Sequence, residues 1–86
     1  MKVVLITAIW CPSCIIMRPR YHQFFKDMNI EISELDFDDD EKEIRKYKIG
    51  NTLPVCILLK DDIEVVRVIG EKSEKEINKL FKDIIK

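Results

Sequence analysis

Hydrophobic and polar positions follow three rhythms along this chain. Val3-Val4-Leu5-Ile6-Thr7-Ala8-Ile9 is an almost unbroken apolar, β-branched run, the composition of a strand buried on both faces. Beyond Cys14 the rhythm lengthens. Met17, Tyr21, Phe24 and Met28 recur every three or four residues, with Phe25 beside them, which predicts a helix with one apolar face that fades around Lys26 to Asn29. Ile30 to Phe37 alternates, but its phase shifts between Ile32 and Leu35, as in a strand with a bulge or one covered on both faces. Asp38 followed by Glu41 predicts a capping box ahead of a short helix through Ile44, Tyr47 and Lys48, with Gly50-Asn51 as its left-handed stop. Val55 to Leu59 and Ile63 to Ile69 are two strands joined by Lys60-Asp61-Asp62, an antiparallel hairpin that Gly70 ends. Ser73 with Glu76 opens a last helix, and Ile77, Leu80, Phe81, Ile84 and Ile85 form its apolar stripe.

The order strand, helix, strand, helix, strand, strand, helix (βαβαββα) predicts an α/β fold. A right-handed crossover makes the first two strands parallel neighbours, and the hairpin completes a four-stranded mixed sheet flanked by helices. Eighty-six residues form one domain, 1–86, with one core. At 47% apolar and 36% charged the chain carries both a core and a charged surface, which argues against disorder. A formal net charge of −1 gives no electrostatic case for nucleic acid or an anionic membrane. Lys2 and the apolar octet after it lack the length and cleavage site of a secretory leader, and no stretch approaches membrane-spanning length. The sequence is therefore read as a cytoplasmic protein.

The chemistry concentrates at Cys11 and Cys14, where the first strand gives way to the first helix. Three cysteines in all do not make a framework of paired bridges, and Cys-x-x-Cys beside a strand-helix pattern points to redox work in a reducing compartment. The first turn of a helix has unpaired N–H groups and the positive end of the macrodipole, both of which favour a thiolate at Cys11. Pro12 suits the first helical position because it has no N–H to leave unpaired. Side chains three apart on a helix stand about 5–6 Å apart at Cβ, whereas a relaxed disulfide prefers about 3.8 Å, so a Cys11–Cys14 bridge forms and is readily reduced. The acidic run Asp38 to Glu41 lacks the glycine and distant glutamate of a calcium loop. Two cysteines supply half of a zinc site, with Cys56 expected as a small buried apolar residue and His22 on a helix surface. No metal or cofactor is therefore expected.

Trp10-Cys11-Pro12-Ser13-Cys14, Pro19 five residues after the second cysteine, Tyr47-Lys48-Ile49, Leu53-Pro54, and the hairpin ending at Gly70 together resemble the thioredoxin superfamily in its minimal, glutaredoxin-sized form. The resemblance implies that Cys11 attacks, that Cys14 resolves, and that the Leu53-Pro54 bond is cis and lies against the cysteines. It also implies that Trp10, Pro12, Leu53, Pro54 and Gly70 contact substrate. Three departures stand out. The chain begins at the central strand, without the family's additional N-terminal strand and helix. Leu5 stands where the family buries an acid, and Glu34 where it has a lysine, so Glu34, with a pKa raised under the sheet, is expected to act as proton relay. Pro-Ser between the cysteines matches neither common thioredoxin nor common glutaredoxin usage. The expected function is reduction of disulfide-containing proteins by a monomer that takes electrons from a reductase or from glutathione. A glutaredoxin-like enzyme, an iron-sulfur carrier and a redox-inactive peptide-binding module are the alternatives; Thr52-Leu53-Pro54 and Ile69-Gly70-Glu71-Lys72 supply only half of the glutaredoxin pattern.

Overall fold

The protein was analysed as a computed structural model that describes residues 1–85, and of Ile85 the backbone only. The elements are β1 (Lys2–Thr7), α1 (Pro12–Asp27), β2 (Glu31–Asp36), α2 (Glu41–Arg45), β3 (Val55–Lys60), β4 (Ile63–Ile69) and α3 (Glu74–Ile85). This is the predicted βαβαββα order. The sheet runs β2-β1-β3-β4, with β1 parallel to β2 and the other pairs antiparallel.

The alternation of side chains across β1 and β3 divides the core in two. Val3, Leu5, Cys56 and Leu58 face Met17, Tyr21 and Phe25 of α1 and Ile77 and Phe81 of α3. Val4, Ile6, Val55, Ile57 and Leu59 belong to the other cluster, with Ile44 of α2, Cys11 and Cys14. The phase shift in β2 reflects coverage on both faces. Its pairing with β1 is unbroken from Glu31 to Asp36, while Ile32 packs on the α1 side and Leu35 on the α2 side. The bulge in this sheet lies in β4, where Leu58 pairs with Val66 and Leu59 with Glu64, leaving Val65 as the extra residue.

Several local expectations need correction. Ile9 is not part of the buried strand: β1 stops at Thr7, and Ile9 lies exposed in the turn closed by the Cys11 N–H on the Ala8 carbonyl at 3.2 Å. Asp38 does not cap α2. Asp40 holds that position, without a side-chain cap bond, while Asp36 Oδ1 accepts the N–H groups of Asp38 and Asp39 at 2.9 and 3.0 Å. The left-handed residue after α2 is Lys48 (φ 51°), and Gly50 has no positive φ. In α3, Leu80 points outward while Ile77 and Phe81 are buried; the Ile85 side chain, counted in that stripe, lies outside the described residues.

Two expected local signals do appear. Ser73 and Glu76 bond reciprocally, Glu76 N–H to Ser73 Oγ and Ser73 N–H to Glu76 Oε1, each at 3.2 Å. Asp61 and Asp62, at φ 53° and 64°, form the doubly left-handed two-residue loop that matches the twist of a hairpin.

Candidate active site

α1 begins where β1 runs out, and that junction fixes both cysteines. Cys11 is the N-cap with extended dihedrals (φ −96°, ψ 110°) and Pro12 opens the helix. The Cys14 N–H donates to Cys11 Sγ at 3.3 Å. The same N–H also reaches the Cys11 carbonyl at 3.1 Å, so the sulfur shares a donor of the helix first turn. Cys11 is 6% exposed and Cys14 1%. Burial, reinforced by the hydrogen bond with Cys11, pushes the Cys14 thiol up to about 11, so at neutral pH Cys14 keeps its proton. One sulfur is presented at a helix start and the other is held in reserve behind it.

The Leu53-Pro54 bond is cis, and Leu53 shares a core cluster with Cys11 and Cys14. The Gly70 N–H donates to the Pro54 carbonyl at 2.9 Å, which brings the end of β4 beside the cis bond. Gly70 has φ +86°, and a Cβ there would meet nothing closer than Thr52 Cγ2 at 3.9 Å. The backbone angle, rather than lack of space, is what requires glycine.

Trp10 is 56% exposed but fixed in position. Its Nε1–H donates to Asp38 Oδ2 at 2.7 Å, and its ring meets Phe37 edge-on at 5.9 Å. Ile9, Ile15 and Ile69 are exposed as well. Across the pair, the Ser13 hydroxyl donates to Glu71 Oε2 at 3.3 Å. The roles of Asp38 and Glu71 escaped the sequence reading: they lie 28 and 58 residues from their partners, and no local pattern signals such contacts.

Glu34 is not the buried base expected of it. Its carboxylate accepts both Nε and Nη2 of Arg18 at 3.0 and 2.9 Å and meets His22 Nε2 at 2.5 Å. Partial burial raises its pKa, but the hydrogen bonds and charges of Arg18 and His22 together outweigh that effect and hold the carboxyl below its ordinary value of 4.5. A group lowered on folding contributes stability above its unfolded pKa and loses it as pH falls through the folded value. Glu34→Gln is therefore expected to cost about 0.5–1 kcal/mol above pH ~5, with the difference from wild type vanishing under more acidic conditions. Urea midpoints of the two proteins across that range check it. Cys56 and His22 do not join the pair: Cys56 is buried in the α1–α3 core, and among the described residues no three His, Cys, Asp or Glu side chains form a metal-holding group.

Residues 1–83 match the family described as Thioredoxin. The chain belongs to the thioredoxin family. A thioredoxin from Chlamydia pneumoniae is 28% identical over 75 residues, covering 86% of this chain and 72% of its own. The reduced thioredoxin of Schistosoma mansoni is 27% identical, with a TM-score of 0.82 over 95% of this chain and 76% of that one. Thioredoxin 1 of Thermosipho africanus, 21% identical, shares the fold at a TM-score of 0.88, covering 99% of this chain and 94% of its own. As a member of the thioredoxin family the chain is a thiol-disulfide oxidoreductase with Cys11 and Cys14 as its Cys-x-x-Cys pair, and the family acts on disulfide-containing proteins. No helix among the described residues is long and apolar enough to cross a membrane.

Proposed function

We propose that this chain is a monomeric, cytoplasmic reductant of protein disulfides that draws its electrons from a thioredoxin-reductase-type donor. Cys11 attacks a target disulfide and is joined to one half of it; Cys14 then attacks Cys11 Sγ and expels that half as a thiol. The observation that carries this reading is the asymmetry of the pair. Cys11 Sγ receives the helix N–H of Cys14, while the Cys14 thiol is held protonated by burial. Trp10, Pro12, Leu53, Pro54 and Gly70 contact the incoming chain in this scheme.

The charges near the pair favour a protein donor over glutathione. Asp38 on Trp10 and Glu71 on Ser13 bring a carboxylate to either side, and Lys72 Nζ turns back to the Ile69 carbonyl at 3.4 Å. An anionic tripeptide is poorly matched to such a rim. The test is NADPH oxidation during reduction of a protein disulfide, with thioredoxin reductase in one arm and glutathione plus glutathione reductase in the other. Turnover at least about tenfold faster in the first arm is expected, a difference of about 1.4 kcal/mol in barrier. Turnover confined to the glutathione arm overturns the donor assignment.

A further inference from the structure

The resolving step requires a thiolate at Cys14, yet apolar groups dominate the surroundings of that sulfur. Leu5, at the position where the family buries an acid, is fully buried hydrocarbon in the cluster beneath α1 and α3. From β1, β3 and the segments after Thr7 and before Pro54 come the side chains of Ile6, Val55, Ala8 and Leu53, members of the same core cluster as Cys14, while the Ala8 backbone gives the sulfur a hydrogen bond that favours its thiolate. Among the described residues, the charge of Cys11 disfavours the Cys14 thiolate and that of Arg18 favours it. Arg18 is four residues after Cys14 on α1, so the two side chains are neighbours on one helix face. It is also held in place: two guanidinium N–H groups engage both oxygens of Glu34 on β2, and His22, one turn further along α1, closes on the same carboxylate.

We infer that Arg18 is the positioning charge of the resolving step, a held cation that favours the Cys14 thiolate, and that Glu34, with His22 behind it, sets how much of that charge Cys14 feels. The inference rests on the oxidoreductase reading. In the step itself Cys14 releases its proton to water and its thiolate attacks Cys11 Sγ of the mixed disulfide. The Sγ–Sγ bond forms as the bond from Cys11 to the target sulfur breaks, and the target leaves as a thiolate. The cysteine pair is oxidised by two electrons and the target disulfide is reduced by two. Arg18 touches none of the reacting bonds; it biases the protonation state of the attacking sulfur.

Because a cation favours the thiolate and a carboxylate beside that cation offsets it, removing the two charges should have opposite effects. The test uses stopped-flow reaction of the reduced protein with dithiodipyridine, a disulfide whose neutrality removes any effect of charge on its approach. The first pyridinethione released reports Cys11 and the second reports Cys14. Arg18→Gln is expected to slow the second release roughly three- to tenfold and move its pH midpoint upward, Arg18→Lys to restore most of the rate, and Glu34→Gln to move the midpoint downward. Equal slowing in Arg18→Gln and Glu34→Gln, or no change in either, overturns the inference in favour of a purely structural ion pair. Slowing in Glu34→Gln alone overturns it in favour of a general base. Release of a single equivalent by the wild-type protein would count against the oxidoreductase reading itself, so the two failures are distinguishable.

Discussion

Cys14→Ser is expected to lose at least about a thousandfold in multiple-turnover disulfide reduction and to remain covalently joined to its targets through Cys11. The reason lies in the kinetic order of the second step. In the intact protein the resolving sulfur sits one helical turn from the bond it breaks, so its attack is intramolecular. Well-oriented intramolecular reactions reach effective molarities of about 10⁵ M or more. The helix does not give the cysteines ideal geometry, and even a thousandth of that value exceeds a millimolar external thiol by roughly five orders of magnitude. Where the first attack limits turnover in the intact enzyme, part of the loss is hidden, hence the smaller figure. The Cys11 side is left largely in place: Sγ still accepts the backbone N–H of residue 14, which the substitution keeps, so the first attack proceeds. Mass spectrometry under non-reducing conditions should find target adducts on Cys11 alone. A Cys14→Ser protein that turns over as fast as wild type would show that resolution does not pass through Cys14.

What the sequence revealed about this site, and what it hid, divides along the distance over which each feature is determined. The strand-to-helix junction at Cys11 was legible because a β-branched run, a proline at the first helical position and a three-to-four-residue apolar period are all local. The cis bond at Pro54 and the neighbourhood of Gly70 were legible only through family resemblance, since nothing in Leu53-Pro54 by itself distinguishes cis from trans. Glu34 was misread for a different reason. Its place on β2 was correct, but β2 is an edge strand, and only tertiary packing brings Arg18 and His22 to its carboxylate. Asp38 shows the same limit from the other side: a cluster of four acids offers several candidate caps, and Asp40 holds that position while Asp38 engages the Trp10 indole, 28 residues away. Hydrophobic periodicity also overcounted. It groups Leu80 with Phe81, although adjacent helical positions diverge by about 100°, and only one of them can face the sheet.

That divergence yields the largest stability effect expected here. Phe81 is fully buried, 5.1 Å from Phe25 in an edge-to-face pair and 5.9 Å from Phe24, and with Ile77 it fastens α3 onto the core built by α1, β1 and β3. Truncating a buried phenylalanine to alanine costs about 3–5 kcal/mol, combining lost transfer free energy with the cavity left behind. Total stability of small domains is about 5–15 kcal/mol, and a chain of 86 residues has little apolar surface elsewhere to offset the loss. Phe81→Ala should therefore shift the urea midpoint by more than about 1 M, or unfold the protein outright near 37 °C. Leu80→Ala, at a side chain already 38% exposed, should cost about 1 kcal/mol or less. The pair of substitutions separates packing from composition, since both delete a large apolar side chain from the same helical turn. α3 also follows directly on the 70–73 loop, whose Lys72 carbonyl accepts Arg20 Nη1 at 2.8 Å and whose Glu71 meets Ser13. Loosening the helix should consequently raise backbone exchange at Gly70 and the Ser13 side of the cysteine pair before it does so in β1. Equal destabilisation by the two substitutions would show that α3 is held by its whole stripe rather than by the Phe81 anchor.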